Sequence, residues 1–321
     1  MSDVAQRITG PFPIRGDDLG GLNVLFSDAF SERYRRDGMA GVRVPPLNPA
    51  IWRFAIEGAG DGAMLWRDGL GRIAALNIAH ASGTEGWMGP LAVREDLQGR
   101  GLGRTIVRAG IERLRAAGCT VIGLETMPRT MDNIGFYAGM GFTPGRLTLT
   151  LTVEATPLTD VRPPLLGALA LGERAAVMAE CLALTRAVRP GVDFSREIEL
   201  TLRYGIGDCV LLRDPTGRLE GFALFHDVPL VEGRMKEEIR VLKCVLAEES
   251  MMARMAEALA AQARRSGALR CAIRAQGEYT TAFRTLIARG ARVRWTDLRM
   301  SLGGFEERPP VHGLALSNWE I

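Results

Sequence analysis

The chain is almost without lysine. Of its 40 basic residues, only Lys236 and Lys243 are lysines. The net charge is just +3, and no basic run is interleaved with aromatics, which excludes a nucleic-acid-binding stripe. Cysteine is sparse: Cys119, Cys181, Cys209, Cys244 and Cys271 are scattered, odd in number and never in a CxxC pair. That pattern argues against a disulfide framework and a zinc site. Most stand in apolar stretches, so buried, reduced thiols are expected. His80, His226 and His312 are far apart and show no metal-ligand spacing, so no metal is expected. No apolar run approaches the roughly 20 residues that span a bilayer. The opening MSDVAQRITG lacks the apolar core of a signal peptide. The expectation is a cytoplasmic protein with no membrane segment.

What is present is an ordinary globular composition, 47% apolar over 321 residues, long enough for two domains. A proline-rich stretch, Ala155 to Gly167, cannot sit in a central strand or a helix interior and reads as a linker. The expected division is residues 1–154, a linker at 155–168, and residues 169–321. In the first part, Asp17–Arg36 has helix periodicity and Asp37–Pro49 reads as a loop. Strands are expected at Ala63–Arg67, Arg72–Ala81, Trp87–Val93, Val121–Leu124 and Leu147–Val153. The last alternates Leu with Thr, as a strand with one wetter face does. Gly101–Ala117 is an amphipathic helix with Leu102, Ile106, Ile111 and Leu114 on one side and Gly118 as its C-terminal cap. Asp132–Ala138 is a short helix.

The second part repeats that order. A hairpin at Val210–Arg213 and Leu219–Phe225 precedes a strand (Ile239–Leu246) and a helix (Ser250–Arg265). A strand (Leu269–Arg274), a helix (Thr280–Ala288) and a strand (Val293–Leu302) follow. The fold class expected is α/β, with two tandem domains, each a mostly antiparallel mixed sheet flanked by helices.

Chemistry concentrates in Pro90–Leu114, which reads strand, glycine-rich turn, helix. A helix start has unpaired N–H groups and the positive end of the dipole, and glycines let its backbone approach a pyrophosphate. A P-loop would need Lys followed by Ser or Thr where Arg104-Thr105 stands. A dinucleotide site would need GxGxxG, and Gly99-Arg100-Gly101-Leu102-Gly103 has the wrong spacing.

The pattern Gln98-x-x-Gly101-x-Gly103 resembles the acetyl-CoA pyrophosphate motif of the GNAT N-acetyltransferases. Downstream, Tyr137-Ala-Gly-Met-Gly141-Phe142 resembles the family segment in which a helix tyrosine faces the cofactor sulfur. The two motifs stand in the family's order with a strand between them, and the resemblance covers roughly Ile8–Glu154. It implies acetyl-CoA as cosubstrate and an amine as acceptor. Gln98 and the amides from Gly99 through Arg104 would hold the pyrophosphate, and Leu91, Ala92 and Val93 would pair with the pantetheine arm. A Val93 N–H would stabilise the oxyanion, and Tyr137 would protonate the leaving thiolate after direct attack by the amine.

Two features depart from the family. Asn133, carried as a cofactor contact, is one turn before Tyr137 where many members place an asparagine two turns before. Thr130 occupies that more distant place, and helix capping competes for Asn133. A glutamate base of some members falls at Trp87 here. Glu85, one pleat further along the same face, is the candidate base through a water, with His80 behind it.

The second part has Leu246-Ala247-Glu248-Glu249-Ser250 where the turn would be. Two carboxylates repel a pyrophosphate and no glycine opens the backbone. Its helix lacks a matching tyrosine, since Tyr279 stands at the helix start. It reads as a GNAT-like domain without a cofactor, open to two roles, a wall of the acceptor cleft or a homodimer face. A non-catalytic acyl-CoA sensor and an enzyme for longer acyl chains remain alternatives. The acceptor is unspecified: small amines, amino acids, antibiotics and protein N-termini all fit. Its loops would be Tyr34–Trp52, with Arg35, Arg36 and Arg43.

Overall fold

The computed structural model describes residues 7–155 and 162–319, so residues 156–161 of the expected linker lie outside the described residues. The first half runs β1 (Thr9–Pro13), α1 (Leu19–Arg36), α2 (Pro49–Ala59), β2 (Ala63–Arg67), β3 (Ile73–Ser82), β4 (Glu85–Val93), α3 (Leu102–Ala116), β5 (Val121–Thr126), α4 (Met131–Ala138) and β6 (Phe142–Glu154). The second runs α5 (Leu171–Val188), α6 (Ser195–Tyr204), β7 (Gly207–Arg213), β8 (Leu219–His226), β9 (Glu238–Leu246), α7 (Met252–Arg265), β10 (Arg270–Gln276), α8 (Thr280–Ala288), β11 (Arg292–Leu302) and β12 (Leu314–Ser317). The expected elements are present with small shifts at their ends. β1, α2, α5, α6 and β12 were not expected. For α2 the signal was there: Asn48 accepts a hydrogen bond from the Ala50 N–H at 3.0 Å, and Pro49 occupies the first helical position.

Helix α3 forms because its apolar positions recur on one side; Ile106, Val107, Ile111 and Leu114 are buried. Gly118 ends it in the left-handed region, φ +79°. α3 covers one face of the first half's sheet, and α1 and α2 cover the other. The second half is layered the same way, with α7 and α8 on one face and α5 and α6 on the other. All five cysteines are buried and unbonded. No described helix is long and apolar enough to cross a membrane.

The two halves do not own separate sheets. One 12-stranded sheet runs β1-β2-β3-β4-β5-β11-β6-β10-β9-β8-β7, with β12 on β9. β6 leaves its own half and pairs antiparallel with β10, from Glu154↔Arg270 to Thr148↔Gln276. Reciprocally, β11 pairs antiparallel with β5, from Leu298↔Thr126 to Ser301↔Gly123. β6 and β11 pair with each other between them. Without this exchange β5 and β10 would each present an open edge of unpaired N–H and C=O groups. The threonine face of β6 is therefore not a wet outer face. Thr148 and Thr152 are buried, and that face lines a polar seam between the halves.

Candidate active site

β4 and β5 run parallel and are paired only from Glu85↔Val121 to Met88↔Leu124, after which they part. On its other side β4 stays paired with β3 through Leu91↔Asn77, Ala92↔Leu76 and Val93↔Ala75. The Arg94 N–H donates to the Ala74 carbonyl at 2.9 Å. Antiparallel ladders alternate, so the backbone groups of Leu91 and Val93 turn away from β3, towards the side β5 has left. An extended polar ligand can pair with that edge, as the resemblance implied for these residues.

The chain then enters the glycine turn. Gly99 and Gly101 hold φ of +72° and +86°, the left-handed region glycine adopts without strain, and a Cβ at either would meet no atom within 4 Å. Among the described residues, the N–H groups of Gly99, Arg100, Gly101, Leu102 and Gly103 have no backbone partner, so five successive donors stand at the positive end of α3. Arg104, expected to contribute its amide, does not, because that N–H donates to the Gly101 carbonyl at 3.0 Å. Gly103 packs against Phe136, 3.3 Å from where a Cβ would be. The Gln98 side chain braces the turn, donating from Nε2 to the Val93 carbonyl at 2.9 Å and accepting from Arg36 at 3.2 Å.

Tyr137 is on α4, buried between Phe136 and Phe142, and burial pushes its phenol well above the ordinary range. It lines a cleft of about 450 Å³ together with Met88, Leu91 and Asn133. Asn133 is 3.5 Å from Thr126 Oγ1. Thr130 is buried and donates to Asp37 at 2.6 Å, tying α4 to the end of α1. The far wall of the cleft belongs to the second half: Arg274, Trp295, Asp297, Arg299 and Trp319.

Glu85 is not placed to act as a base. It is fully buried, accepts from Trp87 Nε1 at 2.5 Å and faces Arg189 at 3.4 Å and Arg299 at 4.0 Å. Burial alone would raise its pKa, but the two guanidiniums outweigh that and hold the carboxyl below its usual range. Unlike Tyr137, it is absent from the lining of the cleft. His80 is also buried, with Nε2 3.1 Å from the Gly89 carbonyl and its ring stacked 4.1 Å from Trp319. Burial, with Lys243 nearby, lowers its pKa to about 3, so it stays neutral.

The cleft's carboxylates are Glu125 and Asp297, neither noted from sequence. Glu125 accepts from Thr148 and Arg274, both at 2.5 Å, and its pKa is lowered by Arg274 and Arg299 against the effect of burial. Asp297 accepts from Arg274 at 2.9 Å and Trp295 at 3.1 Å, and burial pushes its carboxyl up. The available signal was β11 itself, whose alternation carries Trp295, Asp297 and Arg299 on one side of a mid-sheet strand.

In the second half the corresponding geometry is closed. β9 and β10 are parallel from Glu238↔Arg270 to Val241↔Ile273 and then part, as β4 and β5 do. The edge this leaves on β9 is filled by β12, from Lys243↔Ser317 to Leu246↔Leu314. Tyr279 exchanges hydrogen bonds with the Ala315 backbone at 3.1 and 3.2 Å, locking that strand in. The turn before α7 carries exposed Glu248 and half-buried Glu249, and has no glycine.

Residues 28–142 match the acetyltransferase (GNAT) family model. The family uses acetyl-CoA or another acyl-CoA as cosubstrate. Three solved structures share the fold across both halves. An inferred acetyltransferase from Pyrococcus horikoshii is 17% identical, with a TM-score of 0.68 over 98% of this chain and 94% of its own. Saccharomyces cerevisiae N-myristoyltransferase with bound myristoyl-CoA is 11% identical, with a TM-score of 0.64 over 94% and 83%. A tandem GNAT protein from the clavulanic acid biosynthesis pathway is 14% identical, with a TM-score of 0.61 over 94% and 100%. The sequence matches no curated protein.

Proposed function

We propose that this protein is an N-acetyltransferase that moves the acetyl group of acetyl-CoA to a primary amine by direct attack within a ternary complex. One observation carries the reading. The open edge of β4 at Leu91–Val93 runs directly into five unpartnered amides at the start of α3, and the same edge borders the cleft that Tyr137 lines. The amides fit a pyrophosphate, and the edge fits the amide-bearing pantetheine arm.

The neutral amine nitrogen attacks the thioester carbonyl carbon. The Val93 N–H stabilises the developing oxyanion. The C–N bond forms, the C–S bond breaks, and the Tyr137 hydroxyl gives its proton to the leaving sulfur. A phenol with a raised pKa is fully protonated at neutral pH and so holds the proton until the thiolate appears. The nitrogen then sheds a proton, restoring the phenol.

Within this reading residues 1–154 form the half with the cofactor, 155–168 the connection and 169–321 a half without one. The second half acts as the wall of the acceptor cleft rather than as a homodimer face, because Arg274, Trp295 and Asp297 line that cleft. The test is thiol release from acetyl-CoA with a panel of primary amines, alongside calorimetry with coenzyme A. Amine-dependent release supports the reading. A chain that does not bind coenzyme A overturns it.

A further inference from the structure

The cleft's far wall contains a connected chain of charge. Asp297 and Glu125 share Arg274, at 2.9 and 2.5 Å. Glu125 also faces Arg299 at 3.4 Å, and Arg299 lies 3.0 Å from Glu307 and 4.0 Å from Glu85. Arg189 closes the far end, 2.8 Å from Glu307 and 3.4 Å from Glu85. Four carboxylates thus face three guanidiniums, and the network is one positive charge short. Other nearby cations do not close the gap: Arg33 is held by Asp37 at 2.5 Å, and Lys243, which also acts on Glu85, brings its own partner Glu197 at 3.8 Å, leaving five carboxylates against four cations.

The two ends of the network differ. Glu85 is fully buried, and Glu307 is engaged by both Arg189 and Arg299. Asp297 borders the open cleft, and beside it the rings of Tyr34 and Trp295 lie 6.2 Å apart at 55°. Trp295 is 38% exposed, although it donates its indole N–H to Asp297. Its ring therefore offers apolar surface to the cleft. A carboxylate flanked by two aromatic rings favours a cation joined to an apolar body. A carboxylate has about four lone-pair sites, so the bonds from Arg274 and Trp295 leave Asp297 able to accept another donor.

We infer that Asp297 is the specificity-determining residue of the acceptor site: it binds the ammonium of an apolar primary amine whose body lies against Tyr34 and Trp295, and the nitrogen gives one proton to solvent before it attacks as the neutral amine. The inference rests on the acetyltransferase reading above, and it names the acceptor class. Through the strand exchange, the half without a cofactor reads the substrate that the other half acetylates. The raised pKa of the carboxyl agrees with a site whose cation is supplied by its ligand.

The experiment is calorimetry on the full chain loaded with coenzyme A, comparing benzylamine with benzyl alcohol. The two probes share the ring and differ in the ammonium. The wild type is expected to bind the amine about 10- to 100-fold more tightly, the range for a hydrogen bond to a charged group. Asp297→Asn should remove that preference and leave the alcohol's affinity unchanged, while Trp295→Ala should weaken both probes together. Equal affinity for the two probes in the wild type, or no binding of either, overturns the inference without any variant. An Asn variant that keeps its coenzyme A affinity and its amine preference overturns it as well. Coenzyme A binding in the same titrations separates this outcome from failure of the acetyltransferase reading, which predicts that binding independently.

Discussion

Tyr137 and His80 are both buried in the first half, and burial acts on them in opposite senses. For the phenol it favours the neutral, proton-bearing form that an acid needs. Tyr137→Phe keeps the ring against Phe136 and Phe142 and removes only the hydroxyl. Turnover should drop about 100- to 10,000-fold with little change in acetyl-CoA affinity. A purely structural hydroxyl would instead cost about 1 kcal/mol of stability and leave the rate nearly alone. For His80 burial favours the neutral imidazole, with a folded pKa of about 3. An unfolded histidine titrates near 6.5, so below that pH the unfolded chain binds more protons and stability falls as pH falls. Between pH 6.5 and 5 the loss from this residue is about 2 kcal/mol. In urea unfolding, His80→Phe should keep the ring position beside Trp319 and flatten that part of the acid limb. An unchanged acid limb would show that the imidazole already titrates normally in the folded chain.

Among the elements, the start of α3 carries most of the cofactor argument. Its glycines have different work. Gly101 supplies a left-handed backbone with open space around it, whereas Gly103 packs against Phe136. Gly101→Glu would place a carboxylate beside the five open amides, where like charge repels a pyrophosphate. Coenzyme A affinity should fall by more than about 100-fold. Gly101→Asn is the control, since asparagine tolerates the left-handed region and adds no charge. It should retain much of the affinity, and a Glu variant that binds as the wild type does would remove this turn from the phosphate site. β11 is the other decisive element. It brings Asp297 beside the end of β5, near the point where β4 and β5 part, although 171 positions separate it from Thr126, the partner of its neighbour Leu298.

Taken as one molecule, the chain is a sheet with two similar forks and a different fate for each. The fork of β4 and β5 has an open edge, and the fork of β9 and β10 is filled by β12, whose Leu314, Ala315 and Leu316 are fully buried. One coenzyme A per chain is therefore expected in calorimetry. Two equal sites would mean that β12 yields its place to a ligand. Glu85 also belongs to this scale: its charge is one member of a network that joins both halves, which is why it is unsuited to the proton transfer first considered for it.

The sequence alone determined what repeats locally. Helix and strand periods, the glycine turn, the tyrosine segment and the acidic replacement at Glu248-Glu249 are all set by neighbours a few positions apart. Period and turn chemistry act over that distance. It also placed Glu85 on the face of Trp87, but a period-two argument cannot say what lies opposite. Only the tertiary structure brought Arg189 and Arg299 to that carboxylate and made it an ion-pair partner. The same holds for the exchange of β6 and β11, for β12 in the second fork, and for Asp297, Tyr34 and Trp295 in one cleft. These are pairings between residues far apart in the chain. They are decided by which open edges and unmatched charges find partners on folding, and no local pattern encodes them.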